Sequence, residues 1–596
     1  IKFMQNSYFD KIENFDSGSN YNFRDKMLIP DVQRSLYDWS HTVTTTLENC
    51  GHLVPIQWLE TVPDSDIEIN ASALLRYNPQ VVPMFTRQRL YIYAFWNRLG
   101  DLWNNFDVFI RKGRTGNVVK QIPHYTTDNV YTSGINDNVQ SVSIGGYLGL
   151  PKGLKISNSL NNPFISVLPQ MQGFRVYRDY FLNPDVDLEA DYLFPDDDSR
   201  FRVDDNGFIL SYTDAGKIAY WDIYNYAASD YDSDASHIGL FFHNYPKDRF
   251  TSALPFQQRG DTPEIKFVMN KSFNIDSSAA FEKDPSLTYN TTGLLGFSGT
   301  SNQQNGVLIN YRNSSPTEST SINKPYIDAL NRQTVTINDT GITFTMDQFR
   351  ELAISQMELE RMARTDGSFA EFGLTFFGES SKNAYDYKPV FVGATYTNVQ
   401  FSEILQTAPT SLNDEAQPLG TMAGHGIAGI SNNYIGKVHC DDYGILQFFA
   451  CIMPDVEYFQ GVQKKFQRSL QSDFFLPGRD KLGLTPILNS ELYYSNDSEN
   501  NQSLFAYQDP FDELRYIENK ISGLIADSAS ASYFPYTQAR NFANLPVWST
   551  DFLQASNVRK DYLASASDPM CMAQFHFDIR AVLPLAYYSK PANIVG

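Results

Sequence analysis

The chain has 596 residues and a formal net charge of −21, with 14% aromatic and only 19% charged residues. Such a charge opposes a general nucleic-acid binder, so any contact with phosphate is confined to local basic sets. The aromatic content, 36 Tyr and 43 Phe, excludes a disordered chain and suits a β-protein that buries rings and presents broad contact surfaces. The four cysteines, Cys50, Cys440, Cys451 and Cys571, contain no Cys-x-x-Cys pair and read as buried reduced thiols. No apolar run reaches the ~18 residues of a membrane span, and residues 1–16 lack the pattern of a secretory signal, so neither membrane insertion nor secretion is expected.

In chain order, residues 87–96 place Leu90, Ile92 and Ala94 on one face of a strand and Tyr91, Tyr93 and Phe95 on the other, which predicts a strand covered on both sides. Leu99, Leu102, Trp103, Phe106, Phe109 and Ile110 follow at helical spacing, and Gly113 stops the run. Residues 286–340, dense in Ser, Thr, Asn and Gly, read as a surface insertion. A second helix carries the stripe Phe349, Leu352, Ala353 and Met357, a capping box from Thr345 and Gln348, an i,i+4 pair of Glu360 with Arg364, and a stop at Gly367; its predicted place is against a sheet. Residues 443–453 form a strand apolar on both faces, whereas Phe575, Phe577, Ile579 and Ala581 alternate with His576, Asp578 and Arg580 and predict burial on one face. With 29 Pro and 35 Gly between such runs, the pattern is all-β, a barrel or sandwich with long loops.

Several chemistries can be weighed on the residues. Gly424-His425-Gly426-Ile427-Ala428-Gly429 matches a dinucleotide fingerprint in letters, but no strand precedes it and no helix follows, so tight turns explain the glycines. His439-Cys440-Asp441-Asp442 is too contiguous to surround zinc. The acidic tract with Asp187, Glu189, Asp191, Asp196, Asp197 and Asp198, or the group Asp230, Asp232 and Asp234, offers oxygen ligands for a divalent cation such as calcium without EF-hand spacing; no other cofactor is expected. Arg111, Lys112 and Arg114, and Lys464, Lys465 and Arg468, are compact basic sets near aromatics, suited to single-stranded nucleic acid read without sequence preference.

Residues 250–260 read Phe-Thr-Ser-Ala-Leu-Pro-Phe-Gln-Gln-Arg-Gly. This resembles the Phe-Thr-Ser-Ala-Leu-Pro-Trp-Pro-Gln-Lys-Gly element of the gokushovirus-type major capsid proteins of the Microviridae. Further blocks resemble the same family in the same order: Val81-Val82-Pro83-Met84, Asn97-Arg98-Leu99, Tyr147-Leu148-Gly149-Leu150-Pro151, Leu168-Pro169 with Phe174-Arg175-Val176-Tyr177, Pro418-Leu419-Gly420, Tyr458-Phe459-Gln460-Gly461, Asp473-Phe474-Phe475-Leu476-Pro477, Glu491-Leu492-Tyr493 and Phe505-Ala506-Tyr507-Gln508. Phe256 and Gln257 depart from the family's Trp and Pro, and residues 286–340 match nothing in it.

The resemblance implies an eight-stranded viral jelly-roll barrel with long inter-strand insertions and a few short helices. Residues 1–80 would be an N-terminal arm and first barrel segments, 81–285 core with loop insertions, 286–340 a threefold protrusion, and 341–596 the rest of the core and the C-terminal segments. It implies a non-enzymatic T=1 icosahedral capsid of about 60 copies around a circular single-stranded DNA genome. Its partners would be itself, the genome, a minor DNA pilot protein, an internal scaffolding protein and a host surface receptor; it would assemble in the cytoplasm of a bacterial host and reside in the virion. A carbohydrate-active β-protein or a cell-surface binding protein stands as the alternative, though 6 Trp and no distinguished carboxylate pair speak weakly for the former.

Overall fold

Eight strands carry the core: β1 in two segments, Ser35–Asp38 and His41–Leu47, β2 His52–Thr61, β3 Ser65–Tyr77, β4 Gln88–Arg98, β5 Val390–Asn398, β6 Met422–Cys440, β7 Gly444–Pro454 and β8 Cys571–Leu583. They come from a computed structural model that describes residues 33–124, 142–151, 166–183, 202–203, 209–212, 218–220, 240–261, 346–365, 369–379, 387–405, 410–412, 415–417, 422–481, 483–530, 532–565 and 567–588. Both segments of β1 pair with successive parts of β8, and the Trp39 amide bridges the break by donating to the Ile579 carbonyl at 2.9 Å.

One sheet has the order β1-β8-β3-β6, extended by Gln400–Leu405; the other has β5-β4-β7-β2, extended by Phe241–Phe242. All these neighbours are antiparallel. Strands β1 to β4 therefore pair with β8, β7, β6 and β5 in turn, and successive pairs fall in alternate sheets. A long antiparallel ribbon rolled up in this way is a jelly roll, the fold the sequence led us to expect.

Side-chain alternation decides which faces meet. In β8, Cys571, Ala573, Phe575, Phe577, Ile579, Ala581 and Leu583 are buried while Met572, Gln574, His576 and Arg580 face outward. Along β3, Ile67, Ile69, Ala71, Ala73, Leu75 and Tyr77 do the same, so the first sheet is buried on one face, as predicted. Its Phe577 packs on Phe448 of β7, ring centroids 4.6 Å apart.

Every residue of β7 is buried, because its second face is also covered. There Phe95 packs on Phe449, on Tyr180 and on Phe181, and Tyr93 on His243, at 4.8–6.4 Å between centroids. The cover is helical. It belongs to the connection between β4 and β5, residues 99–389, which begins with α1 (Leu99–Leu102) and α2 (Phe106–Arg111) and supplies α3 (Leu168–Tyr180). The Pro169 carbonyl, at the start of α3, accepts from the Gln447 amide of β7 at 3.1 Å.

On one side β5, the edge of its sheet, meets β6 of the other sheet backbone to backbone. A Cβ on Gly393 of β5 would stand 2.0 Å from the Ile435 carbonyl oxygen, and one on Gly436 of β6 would stand 2.4 Å from that of Val392. Only hydrogen side chains permit this approach.

Three expectations change. The helix read over residues 99–113 is broken at Trp103, whose backbone is extended, into α1 and α2; Lys112 and Gly113, both left-handed, end it. The helix read at Phe349 exists as α4 (Met346–Met362), but none of its residues is buried, where the apolar stripe predicted cover; Arg364 pairs with Asp509 at 2.7 Å. The glycines of 424–429 sit within β6, not in turns: a Cβ on Gly424 would meet the Pro83 Cα at 2.7 Å, and one on Gly426 the Tyr77 and Phe401 rings at 2.8 Å. Residues 260–359 form a second compact unit, of which 260–261 and 346–359 are described. The insertion read at 286–340 lies outside the described residues.

Candidate assembly and nucleic-acid surfaces

Sequence blocks far apart in the chain converge on one junction outside the eight core strands. The Asp248 carboxylate accepts from the amides of Phe250 and Thr251 at 2.9 and 2.7 Å, closing the turn that opens the 250–260 motif, and from the Tyr458 hydroxyl at 2.6 Å. Phe250 packs edge-on against Tyr458 at 5.0 Å and near Phe505 at 6.3 Å. Leu254 and Tyr507 exchange both backbone bonds at 2.8 Å. The two departures from the family pattern are accommodated: the Gln257 amide donates to the Leu484 carbonyl at 2.9 Å, and the Phe256 ring lies 5.7 Å from the Arg259 guanidinium.

At the centre stands Arg249, 2% exposed, which donates to Glu491, to Asp512 and, at 3.0 Å, to Glu518. Burial works against its charge, yet Glu491 and Asp512 raise its pKa and hold it protonated. Burial in turn lifts both carboxyls above the ordinary range despite the guanidinium. This residue escaped the sequence reading; its one signal was its place directly ahead of the 250–260 motif.

The basic sets are placed differently from one another. Arg111, Lys112 and Arg114 are exposed at the end of α2, Arg111 in an i,i+4 pair with Asp107 at 2.7 Å. In the second set, Arg468 donates to Glu513 at 2.6 Å and stacks near Phe474, and Lys464 lies 3.9 and 3.8 Å from Asp512 and Glu513. Burial alone would raise Glu513, but the Arg468 bond, a backbone hydrogen bond and the Lys464 charge together hold it below its ordinary value. Lys465 alone of these three is exposed to solvent, its Nζ 5.5 Å from the Phe466 ring. The structure therefore brings Lys464 and Arg468 into the charge network of the junction and leaves Arg111, Lys112, Arg114 and Lys465 facing outward.

All four cysteines are buried, and burial pushes the Cys50 thiol up to about 12. His439 Nδ1 lies 3.0 Å from Asp66, and Asp441 is held low by Arg98. Among the described residues no three His, Cys, Asp or Glu side chains could jointly hold a metal, and no helix is long and apolar enough to cross a membrane. The acidic side chains read as cation ligands at 187–198 and at 230–234 lie outside the described residues.

Residues 29–593 match the family described as capsid protein (F protein). The chain belongs to that family. Similar proteins are the capsid protein VP1 of Chlamydia phage 1, 24% identical over 94% of this chain and 96% of that one, and the capsid protein VP1 of Bdellovibrio phage phiMH2K, 24% identical over 97% and 99%. The capsid protein VP1 of Spiroplasma virus 4 is 22% identical over 91% of this chain and 92% of its own. Capsid proteins of this family are structural, not enzymatic, which disfavours the carbohydrate-active reading.

As a capsid protein the chain has a surface to match. Large apolar side chains stand in water around the junction: Phe466, Leu470, Phe474, Phe475 and Leu476 on one segment, and Leu514 and Ile517 on the next. Phe475 packs edge-on against Phe511 at 5.4 Å, and the Arg468–Glu513 bond ties the two segments together. Soluble monomers rarely leave so much contiguous apolar surface uncovered.

Proposed function

We propose that the chain builds a T=1 icosahedral shell of about 60 copies around a circular single-stranded DNA genome. The observation that carries the reading is the apolar surface at 466–476 and 514–517, on which Phe466 is 73% and Ile517 80% exposed in a protein of a capsid family. The exposed parts of Phe466, Phe474 and Phe475, from rings of ~150–250 Å² each, supply roughly a third to a half of the ~800 Å² per partner that a stable interface buries. Copies of the chain cover one another there. The test is light scattering and negative-stain microscopy of the expressed chain. Uniform particles of about 4 MDa support the reading, from 67.7 kDa per copy; a monodisperse monomer overturns it.

Arg111, Lys112, Arg114 and Lys465 are the cations offered to the genome, with Lys464 and Arg468 contributing through the charge network they share with Asp512 and Glu513. Shells with Arg111, Lys112 and Arg114 changed to Ala then hold less DNA per particle; a normal ratio of absorbance at 260 to 280 nm would count against these contacts. A DNA pilot protein and an internal scaffolding protein complete assembly in the cytoplasm of a bacterial host, and in the virion residues 286–340 protrude to meet a host receptor. A divalent cation such as calcium on the acidic tract at 185–205 or at 230–234 belongs to the same proposal, and a calorimetric titration of shells without heat removes it.

A further inference from the structure

No single kind of contact closes an icosahedral shell: one contact repeated gives a dimer, a ring or a helix. A chain that builds such a shell through the surface at 466–476 and 514–517 therefore needs a second, different surface for its neighbours. An apolar surface of that kind stands where the two ends of the rolled ribbon meet, at the first segment of β1 and the residues that follow β8.

Leu36 and Leu585 are exposed there, and so are Tyr587 at 63% and Tyr588 at 76%. The rings are held in place. Tyr37, half-buried and packed on the core, donates its hydroxyl between the carbonyls of Leu585 and Ala586, at 3.0 and 2.8 Å, and stacks on Tyr587 at 5.9 Å and 18°. Tyr588 stands edge-on to Tyr587 at 5.0 Å. Rings fixed in advance lose little freedom when a partner covers them, which is what makes tyrosines strong anchors of interfaces. Their exposed parts amount to roughly 200–350 Å², about a quarter to two-fifths of the ~800 Å² per partner that a stable interface buries.

The neighbouring backbone and charges say which kind of partner fits. Ser35–Asp38 is the edge strand of its sheet, and an edge strand is a surface for another polypeptide. A phosphate chain finds no excess of cations here. Arg34 lies 3.5 and 2.7 Å from Asp64 and Asp66, and Arg580 stands in register between Asp38 and Glu68.

We propose, on the footing that the chain builds the icosahedral shell, that Leu36, Leu585, Tyr587 and Tyr588 form a second contact between copies, distinct from the one at 466–476 and 514–517. Another copy of this chain covers the two tyrosines.

Hydroxyl-radical footprinting of the full-length chain, read by mass spectrometry at Tyr587 and Tyr588, tests this before and after assembly. Both rings should react in the unassembled chain and be protected to the same degree in empty and in DNA-filled shells. Tyr587→Ser combined with Tyr588→Ser should leave the melting temperature of the unassembled chain unchanged and raise the concentration at which shells form by at least about tenfold. Protection already present in the unassembled chain assigns the cover to the chain's own residues, and protection found only in filled shells assigns it to the genome; either overturns the proposal. Unimpaired assembly of the double variant overturns it too. A one-to-one complex of that variant with a Phe466→Ser chain would make the two surfaces halves of one contact and does the same. Wild-type shells in which both tyrosines stay reactive refute this contact alone, whereas a wild-type chain that remains a monomer refutes the shell and this contact together.

Discussion

Replacing Arg249 with Met tests whether the motif junction is held by charge or by packing. Met fills most of the volume but strips Glu491, Asp512 and Glu518 of their shared cation. Glu518, the least buried of the three, can turn to water, so the loss falls on Glu491 and Asp512. Removing one partner of a buried ion pair costs about 3–5 kcal/mol, and we expect about 4 kcal/mol here at neutral pH. The pH dependence has a definite sign. Burial already raises both carboxyls, and without Arg249 they rise further, so the folded variant binds protons that the unfolded chain does not. Its deficit is therefore largest at pH 7 and shrinks as pH falls through the raised values. Urea unfolding of the unassembled chain, followed by tryptophan fluorescence at pH 7 and at about pH 5.5, measures both effects. Adding Glu491→Gln and Asp512→Asn to the variant should restore most of the loss. A deficit below about 1 kcal/mol, or one that grows on acidification, would show that the network is not the source of the stability.

Three further outcomes follow from the fold. Gly393→Ala drives a methyl group into the Ile435 carbonyl at the β5–β6 corner and should cost about 4 kcal/mol or more, seen as insoluble expression; a soluble variant with an unchanged melting temperature refutes the close approach. Phe577→Ala removes a ring packed on Phe448 and should lower stability by about 3–5 kcal/mol in the same urea assay, a loss under ~1 kcal/mol arguing against the facing of the two sheets. Burial depresses the His243 pKa to about 4, so the folded chain loses part of its stability, about 3 kcal/mol, as pH falls from about 6.5 toward 4. His243→Gln should flatten that slope, and an NMR titration placing His243 near its ordinary value would contradict it.

Much of the jelly roll was legible along the chain. Alternation in β8 and double-sided apolarity in β7 are local patterns, and they correctly gave the first strand one wet face and the second two dry ones. The order of short motifs identified the family before any geometry was known. Less legible was α4: its apolar stripe announces a need for cover but not what provides it, and Phe349 and Met357 remain exposed in the single chain. Charges were readable only as charges. Lys464 and Arg468 look like Lys465 in sequence, yet they face Asp512 and Glu513 from nearly fifty residues away.

What the sequence by itself determined is whatever repeats or sits within a few residues: strand periodicity, the motif series and the kind of protein these imply. Tertiary structure alone decided which carboxylates meet Arg249 and why Gly393 and Gly436 must lack side chains. The reason is physical. Periodicity is set by backbone geometry within one element, whereas a buried charge or a backbone contact takes its energy from whichever distant segment the rolled ribbon lays beside it.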